Sequence, residues 1–364
     1  MLIKDLLEKL EAWAPSSLAL DWDNVGLLLG DPSREINQVL LTLDVTHNAV
    51  DLALETGAKL ILSHHPLIFR PLKRINDPLL LKLLENRIAV ISMHTNLDVA
   101  PGGVNHALAA KLGFRVTGHL SSEQGGKWHH LCVTVPIGHT DQVADAVFKA
   151  GGGRIGTYND CSTRHRITGT FAAQEGTKPF IPSAPNHALT TVSEEELEFM
   201  VSQDVLHKVM SAIRQAHPYE VPLIYSFPVS EPNPANGLGL VGELEAPQSL
   251  KELLEYVSQK LGNPHPKLWS AGRDTSSPVS KIAVCGGAGA SIIKSAEGRA
   301  ELLITGDIGY HAMLESRIPI IDAGHFYTEY PVLDTLKTKL ADWGVSAQVL
   351  PLEKHEYKQG VFDL

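Results

Sequence analysis

Cysteine is nearly absent: the 364 residues include three (Cys132, Cys161 and Cys285), far apart and with no CxxC pair. That excludes a disulfide framework and a cysteine-based zinc knuckle, and it suits a reducing cytoplasm. No run approaches the roughly 18 consecutive apolar residues of a membrane span. The opening MLIKDLLEKLEAWAPSS interleaves acids and bases with its apolar residues and so does not read as a signal peptide. Positive charge is short: 31 Lys and Arg stand against 41 Asp and Glu, a formal balance of −10. A general nucleic-acid binder carries the opposite sign. A GxSxG nucleophile elbow is missing as well, and no cysteine lies near the histidines at 64–65, 94 or 325, so covalent catalysis there has no evident nucleophile.

What is present is the balance of a globular protein with a sizeable core, 43% hydrophobic and 20% charged residues. The length exceeds the roughly 100–200 residues of one ordinary domain, which predicts at least two. Histidine is plentiful, 17 residues against 9 Phe and 5 Trp. It is a common metal ligand and the side chain that titrates nearest neutral pH, so its positions matter.

An amphipathic helix opens the chain, with Leu2-Ile3, Leu6-Leu7, Leu10 and Trp13 at helical spacing. Strands are predicted at 39–45, 59–63 and 88–93, and helices at 48–55, 78–85 and 104–112. Nearly continuous Val/Ile/Leu strands separated by helices predict a mostly parallel sheet covered on both faces. The C-terminal third repeats the rhythm, with helices at 250–261, 291–296 and 330–340 and strands at 281–285, 301–304 and 318–322. The expected fold class is therefore α/β, with two similar halves. Residues 121–128 and 230–239 are rich in Gly, Pro, Ser and Asn, as linkers and insertion points are. Between them strands at 131–135, 166–172 and 190–193 and helices at 140–150 and 194–216 predict a small α+β unit. Loss of the parallel pattern here and its later return favour an insert over two domains in tandem. The expected division is a discontinuous main domain, 1–125 and 233–364, and an insert, 126–232.

Three segments concentrate the chemistry, each just beyond a hydrophobic strand. In Ser63-His64-His65-Pro66, neighbouring strand residues point to opposite faces. Both imidazoles reach one pocket only if the backbone turns, as Pro66 encourages; the pair then serves two ions, or merely caps a strand. Met93-His94-Thr95-Asn96-Leu97-Asp98 sets an imidazole beside a hard oxygen donor, although Asp98 also suits a turn. In Asp322-Ala323-Gly324-His325-Phe326-Tyr327-Thr328-Glu329, a helix would bring His325 and Glu329 to one face, as ligands or as a surface pair. Thr305-Gly306-Asp307 ends a further strand, with His311 one turn on. In open parallel sheets such strand ends share one edge, where ligands bind. His64, His65, Asp98, His325 and Glu329 are therefore expected to converge, and a bridging Glu between two cations would make a hydrolytic site able to activate water. Gly286-Gly287-Ala288-Gly289 reads as a tight βα turn more readily than as a phosphate cradle. Arg70, Lys73 and Arg74 either receive an anionic substrate or form a solvated loop.

Asp21-Trp22-Asp23-Asn24-Val25-Gly26-Leu27, Ser63-His64-His65-Pro66, His94-Thr95-Asn96-Leu97-Asp98, Thr305-Gly306-Asp307 and Gly324-His325 through Glu329 occur together and in order. This series resembles the NIF-three-like family (NGG-one-interacting factor three), whose members are often labelled GTP cyclohydrolase I type 2 homologues. The middle segment resembles the ferredoxin-like, PII/CutA-like insert of the longer bacterial members, and its His217-Pro218-Tyr219-Glu220-Val221-Pro222 is similar to a CutA signature. The resemblance implies two divalent metal ions per subunit, zinc, manganese or iron, held by His64, His65, Asp98, His325 and a bridging Glu329. It also implies a toroidal homohexamer with the sites facing an internal cavity. His94, Asp307 and His311 would support the ligands or transfer protons. The expected function is a cytoplasmic metal-dependent hydrolase of a nucleotide-like or other small anionic substrate, of which GTP ring-opening is the specific form. The rival expectation is a metal-binding regulatory or scaffold protein whose insert senses a small molecule or a partner. Membrane and nucleic acid are not expected partners.

Overall fold

The computed structural model describes residues 1–121, 127–155, 158–229 and 236–355. Much of the two glycine- and proline-rich stretches, 122–126 and 230–235, lies outside the described residues. The chain separates into two compact units, Met1–Gln124 with Asn236–Leu364, and Gly125–Ala235.

The first unit holds two sheets. One has five strands in the spatial order Gly26–Leu29, Ala89–Ser92, Leu60–Ser63, Gln38–Thr42, Ser346–Val349. All its pairings are parallel except that of the outer strand Gly26–Leu29. Leu40, Ile61 and Val90 pack on one face with Ala53 and Leu83; Val39, Leu41, Leu62 and Ile91 pack on the other with Leu6, Leu10 and Leu336. Burial on both faces explains why these strands read as unbroken apolar runs. Each such buried Leu, Ile or Val contributes about 1.5–3 kcal/mol relative to exposure.

The other sheet has six strands, ordered Lys267–Trp269, Ile320–Asp322, Leu302–Gly306, Pro278–Ala288, Leu238–Ser249, Arg115–Ser121. This half is not mostly parallel: its central strands pair in parallel, but three of its five pairings are antiparallel. The strands that change its character carry weak sequence signals. Arg115–Ser121 is a largely exposed edge, and Lys267–Trp269 is three residues long.

Helix Val104–Leu112 joins the two halves. Six of its nine residues are buried, and only Ala110 and Lys111 are exposed. Val104 and Ala107 enter the core of the five-stranded sheet, while Leu108 and Leu112 enter that of the six-stranded sheet. The short helix His325–Glu329 follows strand Ile320–Asp322 of the second sheet, yet its Phe326 and Tyr327 pack in the core of the first. These two crossings bring both sets of strand ends to one place.

The second unit is a four-stranded antiparallel sheet, ordered Thr163–Phe171, Thr190–Ser202, Trp128–Pro136, Ile224–Val229. Helices Thr140–Ala150 and Leu206–Ala216 pack on one of its faces. The helix expected from residue 194 is a strand as far as Ser202. Glutamate favours helices, but Leu197, Phe199 and Val201 alternate into the core, a period of two that only a strand satisfies. Among the described residues no helix is long and apolar enough to cross a membrane.

Candidate metal centre

Strand Leu60–Ser63 ends where the chemistry begins. Its ladder continues two residues further, His64 N–H donating to Thr42 O at 3.1 Å and His65 N–H to Leu43 O at 2.9 Å. The Ser63 hydroxyl donates to His65 O at 2.8 Å. The bent backbone lets both side chains face one pocket, with ring centroids 5.0 Å apart. From the next strand, His94 precedes the short helix Thr95–Val99 that carries Asp98. From the other sheet, helix His325–Glu329 places its two terminal residues on one face, His325 Nε2 lying 3.0 Å from Glu329 Oε1.

The five expected ligands meet. His65 Nε2 is 3.1 Å from Glu329 Oε2, and His64 Nε2 is 3.5 Å from Glu329 Oε1 and 3.7 Å from Asp98 Oδ1. Ligand atoms of His65, His325 and Glu329 lie within 4.8 Å of one another, as do those of His64, His65 and His94. Glu329 therefore stands between the imidazoles from both sheets. His94, expected behind the ligands, lies among them.

All four imidazoles are gripped from behind. Nδ1 of His65 is 2.7 Å from Asp44 Oδ1, Nδ1 of His325 is 2.7 Å from Asp307 Oδ2, and Nδ1 of His94 is 2.9 Å from Asp23 Oδ1. Nδ1 of His64 donates to Met93 O at 2.8 Å. An acceptor on Nδ1 selects the tautomer with a free Nε2 and fixes the ring plane, the arrangement by which metal-binding histidines are oriented. Meanwhile His64 Nε2 and Asp98 Oδ1 are buried without a hydrogen-bond partner among the described residues, and Glu329 Oε2 has only its ion-pair contact with His65. Such poorly satisfied polar atoms in one buried spot are costly unless something compensates them. A cation fits that donor set.

The electrostatics agree. Burial opposes charge on His65, but Asp44 and Glu329 outweigh it and raise its pKa to about 10. Burial likewise opposes charge on His325, and Glu329 and Asp307 raise it to about 9. Burial works against Glu329 too, yet the facing imidazoles hold it well below the ordinary carboxylate range. Asp98, further from them, is pushed up to about 6 by burial. Asp23 is partly desolvated, but His94 and Thr95 bring it down to about 2. Positive charge is therefore what this pocket lacks.

Several expectations are revised. His311 is exposed, with its ring against Tyr310. Asp307 has a positive φ and the helix starts only at Tyr310, so Asp307 and His311 do not share one helical face. Cys285, remote in sequence, lies near enough to Asp98 and Glu329 that, added to burial, they push its thiol well up. Arg70, Lys73 and Arg74 are exposed on the loop after His65. Asp44 has no role assigned in the sequence reading, although it carries the same strand-end signal as the histidines; Asp23 enters it only within the family-like segment Asp21–Leu27, in a loop with no periodicity to mark it.

Gly286-Gly287-Ala288, expected as a tight βα turn, instead end strand Pro278–Ala288 at an irregularity of its pairing, and they serve the carboxylate. Gly287 N–H donates to Thr328 Oγ1 at 3.0 Å, and its φ is +68°. A Cβ there would sit 2.2 Å from Glu329 Oε1. Gly287→Ala is expected to lower stability by about 1–3 kcal/mol and to reduce bound metal, read by thermal unfolding and elemental analysis. Unchanged values of both would refute this contact.

A family model described as Duf34/NIF3 (NGG1p interacting factor 3) matches residues 1–356. The chain belongs to the Duf34/NIF3 family. A Duf34/NIF3 relative from Halalkalibacterium halodurans, named GTP cyclohydrolase 1 type 2 homolog, is 36% identical over 329 residues, 88% of this chain and 87% of that protein. The Bacillus subtilis protein of the same name is 35% identical over 332 residues, covering 89% and 88%. Among solved structures, a Bacillus cereus protein related to NIF3 superposes with a TM-score of 0.83 at 32% identity, over 97% of each chain.

Proposed function

We propose that the protein is a dinuclear metal-dependent hydrolase of a nucleotide-like or other small anionic substrate. The observation that carries this reading is the set of four imidazoles fixed at Nδ1 around two buried carboxylates. His65, His325 and Glu329 would hold one divalent cation; His64, Asp98 and Glu329 would hold the other. Mixed imidazole and carboxylate donors admit zinc, manganese or iron. Bound there, such ions supply Lewis acidity and lower the pKa of water. His94, beside them and backed by the ionised Asp23, is placed to accept a proton. Asp44 and Asp307 act through the imidazoles they orient; Asp44→Asn or Asp307→Asn is expected to weaken metal binding about 10–100-fold, measured by competition with a chelating dye.

A nucleotide-like substrate is supported by an aromatic pair at the rim. Trp22 and Phe69 are 56% and 50% exposed with ring centroids 5.5 Å apart, and Trp22 meets the His94 ring edge-on at 6.1 Å. A base could stack there while Arg70, Lys73 or Arg74 meets its phosphates. The names of the curated relatives make GTP the first nucleotide to try. The test is the metal-loaded protein with a nucleotide panel, following purine absorbance and phosphate release; no turnover of any member overturns the hydrolase reading. With an active nucleotide, Trp22→Ala is expected to raise KM about tenfold or more, matching ~1–3 kcal/mol of base stacking, with kcat little changed. An unchanged KM would place the base elsewhere.

The second unit has the strand and helix order of a split βαβ repeat, and we assign it as the ferredoxin-like, PII/CutA-like insert. Its cavity of about 510 Å³, lined by Thr134, Phe180, Val192, Glu194 and Tyr219 among others, favours a second reading in which the insert senses a small molecule. Removal of residues 126–232 separates the two: retained turnover with altered effector response marks an enzyme with a regulatory lobe. Loss of assembly, with no turnover in either form, marks a scaffold. The toroidal homohexamer is part of the same proposal, and sedimentation equilibrium tests it. A reducing cytoplasm is consistent with three free cysteines.

A further inference from the structure

We propose that the second unit carries a metal site of its own, built from His130, Cys132 and Glu198 with His165 at its edge, for a borderline-soft divalent cation of the zinc class. In strand Trp128–Pro136, Leu131, Val133 and Val135 face the helices. His130 and Cys132 therefore share the opposite face, two residues apart. Glu198 is the direct cross-strand partner of Cys132 in strand Thr190–Ser202, close enough for side chains to touch. His130 Nε2 lies 3.1 Å from Glu198 Oε2, and His130 Nδ1 lies 3.9 Å from the Cys132 sulfur. A nitrogen of His130, the sulfur of Cys132 and an oxygen of Glu198 all fall within 4.8 Å of one another. His165, from strand Thr163–Phe171, brings its Nε2 to 3.6 Å from Glu198 Oε1. Three adjacent strands thus deliver two imidazoles, a thiol and a carboxylate to one patch.

The donor chemistry separates this patch from the centre in the first unit. A thiolate with imidazole and carboxylate selects zinc-like ions over hard cations such as magnesium or calcium, whereas the first centre offers only nitrogen and oxygen. Side-chain exposure of 35% at His130 and 22% at Glu198 leaves a path for an ion, while the sulfur is buried at the base. Burial and Glu198 keep the free Cys132 thiol protonated, so the cation must displace that proton to solvent as the sulfur–metal bond forms. The pair His130-Leu131-Cys132 is visible in the sequence, but nothing there marks Glu198 or His165 as its neighbours.

The experiment is a cobalt(II) titration of the full-length protein, read at the thiolate-to-cobalt charge-transfer absorption in the near ultraviolet. The band is expected in the wild type, in Cys285→Ser and in His325→Ala, and is expected to vanish in Cys132→Ser. Uptake of cobalt without the band, or a band that survives Cys132→Ser, overturns the proposal. Since Cys132 is buried, Glu198→Gln provides a milder variant: cobalt affinity read from the band should fall at least about tenfold, and an unchanged affinity also overturns it.

Discussion

Glu329→Gln should strip the first centre of its metal. Among the described residues Glu329 is the one carboxylate within reach of imidazoles from both sheets, at 3.0 Å from His325, 3.1 Å from His65 and 3.5 Å from His64. Glutamine keeps the shape and removes the charge. Losing an orienting partner of a ligand costs about 10–100-fold in metal affinity, and losing a ligand shared by two ions should cost more. On the proposed dinuclear reading, elemental analysis of purified Glu329→Gln should find one ion or none, and the proposed hydrolysis should be lost with them. The metal-free protein should also suffer, because breaking a buried ion pair costs about 3–5 kcal/mol. The two readouts distinguish a folding defect from a binding defect: a variant that still unfolds cooperatively, at a lowered midpoint, and holds no metal supports the bridging role. Full metal content in a folded Glu329→Gln protein would remove Glu329 from the ligand set, and with it the dinuclear reading.

Metal uptake should release protons and strengthen as pH rises. In the metal-free fold His65 and His325 titrate at about 10 and about 9, both above the ordinary value near 6.5. Their protonated forms therefore stabilise the metal-free fold fully below about pH 6.5, and that contribution fades as pH climbs through about 9 and 10. A metal needs the neutral imidazoles, so the same protons oppose it. Apparent affinity should rise by up to about tenfold per pH unit for each proton displaced, levelling off only above pH 9–10. Isothermal calorimetry in buffers of different ionisation enthalpy counts the protons. Release of one or two per site at pH 7 is expected; no release would mean that the imidazoles are already neutral and that Asp44, Asp307 and Glu329 do not hold them charged.

The two results are linked by Glu329. Its negative charge raises the neighbouring imidazoles, and its removal should flatten the pH dependence as well as weaken binding. Glu329→Gln should therefore release fewer protons per ion bound than the wild type, where any binding survives. Gly287→Ala offers a gentler approach, because a methyl group displaces the carboxylate without changing its charge.

Much of the first unit could be read from local pattern. Helices at 78–85, 104–112 and 250–261 occupy Pro78–Glu85, Val104–Leu112 and Leu250–Leu261, because their ends carry chemical signals: Asp77 caps one start, Ser249 another, and Gly113 and Gly262 take the left-handed turn that ends two of them. Two edge strands of the six-stranded sheet carry no apolar run, since an exposed edge needs none; the interior strand Leu238–Ser249 is also absent from the sequence reading, because only Gly239–Gly242 is buried and glycines punctuate it. The strand through 194–202 was misread as helix because a glutamate-rich segment favours one structure locally, while pairing on both sides imposes another.

Local pattern along the chain specifies which residue types stand at the ends of the buried strands, and hence that imidazoles and carboxylates gather on one edge of an α/β fold. It could do so because strand burial leaves an apolar run and its end leaves a polar break, both local properties. Three further facts emerge from the folded chain alone: Phe326 and Tyr327 anchor a helix from one sheet in the core of the other, Glu329 thereby stands among His64, His65 and His325, and Asp23, Asp44 and Asp307 grip the rings from behind. Those pairings join residues separated by up to 265 positions in the chain, as His64 and Glu329 are. No local periodicity records them; they follow from how two sheets share one buried helix.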